Sequence, residues 1–175
     1  MCTPQWVDAL FMAMNTWSRI GNVTGDQRYF DQQFKLFSAA ALEGPSGNTP
    51  PGRPPAPGVK ATYHFWSDQY NLFYRDDRFL NTTTFWGRGN GWAIGALVAA
   101  LEYTPAADPH RAVYAGLLSK QAAKLKSLQS PDGCWRSSLL NATGYPSPET
   151  TGSASFTYGI AYGINAGILP KVSPP

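Results

Sequence analysis

Residues 91–103 read GWAIGALVAALEY, an alanine-rich stretch that is apolar on nearly every side of a helix. A helix of this composition is expected to be buried all round. Residues 4–20 and 152–169 have the same character, since each is a long run of apolar and small residues. The sequence therefore predicts three buried helices that start near positions 4, 91 and 152.

Two amphipathic segments, residues 26–42 and 110–129, alternate with the buried ones. In the second, three lysines are interleaved with leucines, which is typical of a helix with one side in solvent. Alternating inner and outer helices form hairpins that must stack, because each is too small to bury its own apolar face. The sequence predicts an all-α fold, a partial (α/α)6 barrel or six-hairpin toroid. A closed toroid needs on the order of 350 residues, so this chain supplies about half.

The whole chain, 1–175, is interpreted as a single partial toroid forming one catalytic domain. The Pro/Gly-rich segment 44–59 (GPSGNTPPGRPPAPGV) is predicted to be a surface loop inside it, with a true domain boundary as the alternative. Thr3 and Pro4 predict the start of the first helix, and Gly21 and Asn22 its end. Residues 61–66 are predicted to be a short β-prone segment.

Composition and charge exclude several classes of function. Charged residues make up 14% and the net charge is +3 without a Lys/Arg run, so no nucleic-acid partner is expected. No apolar run has membrane-spanning length, so no membrane partner is expected either. Cys2 and Cys134 could pair, but neither lies in a Cys/His cluster, so no metal and no cofactor are expected. The aromatic content of 14% suits stacking on sugar rings, or simply a well-packed core.

Signals of cellular location are weak. The N-terminus lacks a charged leader followed by an apolar run, so no signal peptide is predicted. Asn-x-Thr sequons at Asn22, Asn81 and Asn141 favour a secretory route.

Asp8 is a carboxylate within the apolar stretch from Trp6 to Met14. An aspartate among apolar residues is rare unless it is paired or functional, and such surroundings favour the protonated form that a general acid needs. The alternative is an acidic residue in the first turn that complements the helix dipole.

The segment FWGRGNGW, residues 85–92, is predicted to be a glycine-rich turn before the helix that follows. Its glycines would let the backbone approach a ligand, Arg88 could bind a carboxylate, and Trp86 and Trp92 could stack on a ring. Asn90 would add a further donor to the ligand. The alternative is a helix-start loop anchored by tryptophans.

Two further segments contain candidate binding residues. Residues 148–156 (PETTGSASF) form a hydroxyl-rich helix start in which Thr150 and Ser153 could bind sugar hydroxyls, or in which a threonine simply caps the helix. His64 lies among aromatics in YHFW, where a histidine is either structural or part of the site.

Together these segments resemble the glycoside hydrolase family of unsaturated rhamnogalacturonyl hydrolases, which is related to the unsaturated glucuronyl hydrolases. The resemblance spans nearly the whole chain in the family's order. It rests on WVDALFMA (6–13), the His64 segment, FWGRGNGW (85–92), QSPDGCW (129–135) and ETTGSASFTYGIAYGI (149–164).

The resemblance implies a pocket at one mouth of the barrel that binds a small oligosaccharide ending in an unsaturated uronic acid, derived from pectin. Asp8 would be the general acid/base, Arg88 would hold the uronate, and His64, Trp86 and Trp92 would line the pocket. The family carries another pocket aspartate and aromatics before the WVD segment, where this chain begins. The chain thus corresponds to about the C-terminal half, and alone we expect marginal stability and weak or no activity.

Two rival interpretations remain open. The first is a truncated, inactive carbohydrate-binding remnant of the same family. The second is a terpene-cyclase-like α/α barrel, which would need an acidic motif such as Asp76-Asp77, expected to lie in an exposed stretch.

Overall fold

The computed structural model describes residues 6–43, 56–58 and 64–171, and helices account for most of them. A π-helical turn, Ala39–Glu43, continues the second helix, and a 3-10 turn spans Asp77–Phe79. Strands β1 (Trp66–Ser67) and β2 (Leu72–Phe73) pair in a short antiparallel hairpin. The described α-helices are α1 (Asp8–Thr24), α2 (Gln27–Ser38), α3 (Gly87–Tyr103), α4 (Arg111–Ser127) and α5 (Thr150–Asn165).

Helices α1, α3 and α5 lie side by side and run in the same direction. Phe11 of α1 packs against Trp92 of α3, with 5.1 Å between ring centroids. On the other side of α3, Ile94 lies against Gly159 of α5. A Cβ on Gly159 would lie 2.5 Å from Ile94 Cγ1. Near the helix starts, Val7 lies beside Gly89 and Gly152 lies against Gly87, so the N-termini of all three helices meet at one end.

Helices α2 and α4 cover the outer side of this row. Phe30 of α2 fills the space beside Gly21 of α1. Tyr114 of α4 packs edge-on against Phe37 of α2, with 5.3 Å between ring centroids. The predicted alternation of inner and outer helices is therefore confirmed within the described residues.

The predicted ends of the first helix are wrong. Thr3 and Pro4 lie outside the described residues, and α1 begins at Asp8, because the two residues before it are held against another segment: Trp6 bridges Asp76, and the Val7 N–H donates to the Arg75 carbonyl at 2.8 Å. Gly21 lies within the helix, and the left-handed Gly25 (φ 67°) ends it at Thr24.

The predicted turn before the second buried helix is also wrong, since α3 already begins at Gly87. The glycines permit close packing between elements. A Cβ on Gly87 would lie 2.8 Å from the Arg136 carbonyl oxygen, and one on Gly91 would lie 3.0 Å from Ser155 Cβ. A glycine-rich segment signals close backbone approach as readily as a turn, and here tertiary packing outweighs helix propensity.

Burial all round is confirmed for most of α3 but not for its two neighbours. Met12 and Val23 on α1 and Tyr158 on α5 are exposed, Val23 to 85%. The two flanking helices have an inner helix on one side only among the described residues. The predicted loop at 44–59 lies outside the described residues except for 56–58, and in the described part no helix has the length and hydropathy to cross a membrane.

Candidate active site

The starts of α1 and α3 bring Asp8 and Arg88 to the same end of the helix row. Val7 packs beside Gly89, with its Cγ1 3.1 Å from the position of a Cβ there. Val7 immediately precedes Asp8, and Gly89 immediately follows Arg88. Trp92, one turn after Arg88, contacts Phe11, about one turn after Asp8. The carboxyl, the guanidinium and the indole therefore belong to adjoining faces of two parallel helices.

Asp8 is half-buried in the first turn of α1. Within residues 6–43, 56–58 and 64–171 its carboxyl group has no hydrogen-bond or ion-pair partner. A partly buried carboxyl without a protein partner can exchange a proton with a bound ligand, which is what a general acid/base must do. The first-turn position also complements the helix dipole, so both interpretations of Asp8 fit the geometry.

Arg88 is half-exposed, and its ion-pair partner is a residue that sequence analysis did not single out. Its Nη1 lies 3.8 Å from Oε1 of Glu149, while the Arg88 side chain is 50% exposed. At this distance the contact is electrostatic, and Arg88 donates no hydrogen bond to any other described residue. Its N–H groups are thus available for a carboxylate.

Trp86 immediately precedes α3, and an antiparallel backbone bridge to Ser138 holds it in place. Its ring meets Tyr145 edge-on, with 6.1 Å between centroids and an interplanar angle of 84°. Its Nε1 is buried without a hydrogen-bond acceptor in the described part of the chain. An indole N–H in that position can donate to a ligand oxygen.

His64 lies beside the short β-hairpin, because the adjacent Phe65 exchanges backbone bonds with Ala40 and Tyr74. Its Nδ1 is buried with no partner among the described residues. Burial lowers the pKa of His64 below its ordinary value, a shift partly opposed by a backbone hydrogen bond at Trp66. The imidazole is therefore largely neutral at pH 7, with a nitrogen left over for a ligand or water.

Asn90 does not have the free polar groups that the binding prediction requires. It is fully buried, and its side chain bonds both backbone groups of Phe73, accepting at 2.8 Å and donating at 2.9 Å. The amide also donates to the Trp86 carbonyl at 3.0 Å and accepts from Gln121 at 3.3 Å. The bonds to Phe73 and Gln121 join α3 to the hairpin and to α4, and the bond to Trp86 closes the first turn of α3, so Asn90 has a structural role.

We expect Asn90→Ala to lower the free energy of unfolding by about 2 kcal/mol, because the Phe73 backbone groups are left buried and unpaired. Affinity of the folded fraction for a sugar ligand should stay unchanged. Urea unfolding and a ligand titration measure the two effects, with the exposed Asn22→Ala as control. A loss of affinity without a loss of stability would restore Asn90 as a binding residue.

The two predicted hydroxyl residues on α5 differ in environment. Ser153 Oγ accepts from the Trp135 N–H at 3.0 Å, and Thr150 is exposed at the helix start. Neither has a described contact with α3. Ser155, by contrast, packs against Gly91 near Arg88, and its Oγ donates to the Thr151 carbonyl. Ser155 could have been added from the sequence, because it lies in the same hydroxyl-rich helix start as Thr150 and Ser153.

Acidic clusters elsewhere do not form an alternative centre. No group of three potential metal ligands occurs among the described residues. Asp76, expected to be exposed, has no accessible surface and pairs with Arg75 at 2.9 Å and Arg78 at 3.0 Å. Burial would raise the pKa of Asp76, but hydrogen bonds from Arg78 and Arg75 lower it below its ordinary value. A carboxylate held ionised in this way is a poor acid, which disfavours the terpene-cyclase-like reading.

The fold defines an all-α class of protein built from helix hairpins. The chain matches the family model of Glycosyl Hydrolase Family 88 over residues 3–173, and it belongs to that family.

Two curated relatives, both named unsaturated 3S-rhamnoglycuronyl hydrolase, are similar to most of the chain. One from Alteromonas sp. is 35% identical over 94% of the chain and 36% of its own length. One from Formosa agariphila is 31% identical over 95% of the chain and 42% of its own length. The solved glycosyl hydrolase family 88 structure from Bacteroides vulgatus superposes with a TM-score of 0.74 at 28% identity, over 94% of this chain and 44% of that one. The chain thus spans about two fifths of the length of these curated relatives.

Proposed function

We propose that the chain carries the acid/base and uronate-binding part of a glycoside hydrolase site. The reaction is release of a terminal unsaturated uronic acid from pectin-derived, rhamnogalacturonan-type oligosaccharides. The observation that carries the proposal is the half-buried Asp8 carboxyl, which has no partner among the described residues and lies at the helix start that adjoins Arg88 and Trp92. The names of both relatives, which join an unsaturated glycuronyl sugar to rhamnose, support an unsaturated uronic acid as the terminal sugar.

The chemistry uses the double bond of the terminal sugar, which joins C4 to C5 and is conjugated to the ring oxygen. Asp8 donates a proton to C4, and the positive charge develops at C5 and the ring oxygen. Water adds to C5 while the Asp8 carboxylate takes one of its protons. The resulting hemiketal opens at the bond between C5 and the ring oxygen, and the aglycone then leaves from C1. One carboxyl group serves both proton transfers, so no second carboxylate at glycosidase spacing is required.

The surrounding side chains supply recognition. Arg88 binds the uronate carboxylate with its uncommitted N–H groups. Trp92 provides a wall for the sugar ring, and Trp86 donates its unpaired Nε1–H. His64, beside the short β-hairpin, offers a neutral nitrogen that has no partner among the described residues.

A truncated, catalytically inactive carbohydrate-binding remnant is the second candidate. The observation that favours it is the share of the relatives' length that the chain spans, 36% and 42%. Binding without loss of double-bond absorbance would support this candidate, whereas turnover would exclude it.

Arg88→Met tests the uronate-binding role. We expect it to weaken binding of the unsaturated uronate disaccharide by roughly tenfold to thirtyfold, the loss of one charge-assisted bidentate contact. Binding of the neutral methyl ester should hardly change. Calorimetric titration of both ligands measures this, with Arg28→Met on the outer surface as control. Equal losses for acid and ester would contradict the assignment.

A further inference from the structure

We propose that Glu149 is the positioning residue for Arg88, holding the guanidinium by charge while leaving its N–H donors free for the ligand carboxylate. This inference rests on the proposed function. Glu149 is only 8% exposed, and its carboxylate is the buried partner of a half-exposed arginine.

Glu149 is held through both its carboxylate and its backbone. Its Oε2 accepts from the Gly152 N–H in the first turn of α5, and the Glu149 N–H donates to the Trp135 carbonyl at 2.9 Å. A carboxylate at a helix N-terminus is also stabilised by the helix dipole. With Oε2 committed, Oε1 is the oxygen that faces Arg88 at 3.8 Å.

The approach of α3 to α5 sets the geometry of this pair. A Cβ on Gly152 would lie 2.5 Å from Glu149 Oε2 and 3.0 Å from the carbonyl carbon of Gly87, the residue before Arg88. The missing side chain therefore lets the start of α3 lie directly on the Glu149 cap. Arg88 follows this contact point directly, so its backbone is fixed by packing and its guanidinium group is held by the charge of Glu149.

The separation of 3.8 Å between Arg88 Nη1 and Glu149 Oε1 determines which N–H donors of the arginine remain available to a ligand. A close bidentate salt bridge would occupy two of the donors that the ligand needs, whereas an ion pair at this distance occupies none. The lower mobility of a held side chain reduces the entropy lost when the ligand carboxylate binds. Glu149 thus acts on the ligand through Arg88 without touching it.

Two substitutions separate this role from helix capping. Glu149→Gln keeps an oxygen that can accept from Gly152 but removes the charge, and Glu149→Asp keeps a good N-cap but withdraws the carboxylate by one methylene. We expect both to weaken binding of the unsaturated uronate disaccharide by roughly fivefold to tenfold. The methyl ester should bind as before. In an Arg88→Met background, Glu149→Gln should have no further effect, with Glu102→Gln as the matched charge control.

A second measurement needs no ligand. The ¹⁵N relaxation order parameter of the Arg88 Nε–H should fall in Glu149→Gln and Glu149→Asp and stay unchanged in Glu102→Gln. Unchanged Arg88 order, unchanged or tighter binding, or equal losses with and without Arg88 would each overturn the role of Glu149. If the unsubstituted chain binds no unsaturated uronate, the proposed function fails, and the order parameter still decides whether Glu149 positions Arg88.

Discussion

Asp8→Asn is expected to reduce turnover of an unsaturated rhamnose-linked disaccharide by roughly 10²–10⁴-fold, the usual contribution of a positioned proton donor. Asparagine preserves the size of the side chain and its place in the first turn of α1 but cannot donate a proton to C4 or accept one from water. Affinity for the disaccharide should remain within a few-fold, because recognition is assigned to Arg88 and the tryptophans. The decrease in absorbance of the uronate double bond measures turnover, and calorimetry measures binding.

Asp31→Asn is the matched control, since it makes the same chemical change on the exposed surface of α2. Its turnover should equal that of the unsubstituted chain. Full activity of Asp8→Asn would rule out the acid/base role and leave the helix dipole as the explanation for this residue. Parallel loss of activity, affinity and stability would instead show that Asp8 supports the fold.

The helix order, and the closeness of the candidate residues on α1 and α3, could be predicted from the sequence. Long apolar runs have one physical solution in water, which is burial against other helices, so the inner helices were found. Asp8 and Arg88 stand out because a charge beside such a run is costly unless it has a purpose. Their neighbouring helix starts then follow from the parallel packing of α1 and α3.

The errors have a common physical cause, since they concern contacts between segments far apart in sequence. Asn90 resembles a ligand donor until the structure shows its amide bonded to Phe73, 17 residues away. Gly87 resembles a turn residue until Arg136 is found against it. Glu149 is not singled out by the sequence, because its pairing with Arg88 depends on the packing of α5 beside α3. Local pattern gives the residue type, but only tertiary packing gives its partner.

The ionic cluster around the buried Asp76 shows how the chain supports the start of α1. Asp76 receives the Arg78 N–H at 3.0 Å in addition to its two guanidinium partners. The guanidinium groups of Arg75 and Arg78 lie over the ring of Trp6, at 4.9 and 5.4 Å from its centroid. Trp6, which lies two residues before Asp8, forms a backbone bridge with Asp76. One carboxylate therefore organises the segment from which the proposed acid/base projects.

Asp76→Ala is expected to lower the free energy of unfolding by about 3 kcal/mol, because it leaves two paired arginines without their buried counter-charge. The figure lies at the low end for buried pairs, since both arginines can reach solvent. Asp76→Asn, which can still accept the Arg78 N–H, should cost less. Urea unfolding at pH 7 measures both, with the exposed Asp68→Asn as control.

The dependence on pH supplies an independent check. The pKa of Asp76 is lower in the folded chain than in the unfolded chain, so the folded state favours the ionised form. Its contribution to stability is therefore fully present above the unfolded pKa of about 4 and is lost as the pH falls through the folded value. The difference in unfolding free energy between the unsubstituted chain and Asp76→Asn should shrink between pH 6 and about pH 3. A difference that stays constant over this range would mean that the carboxylate acts through packing and hydrogen-bond geometry rather than through its charge.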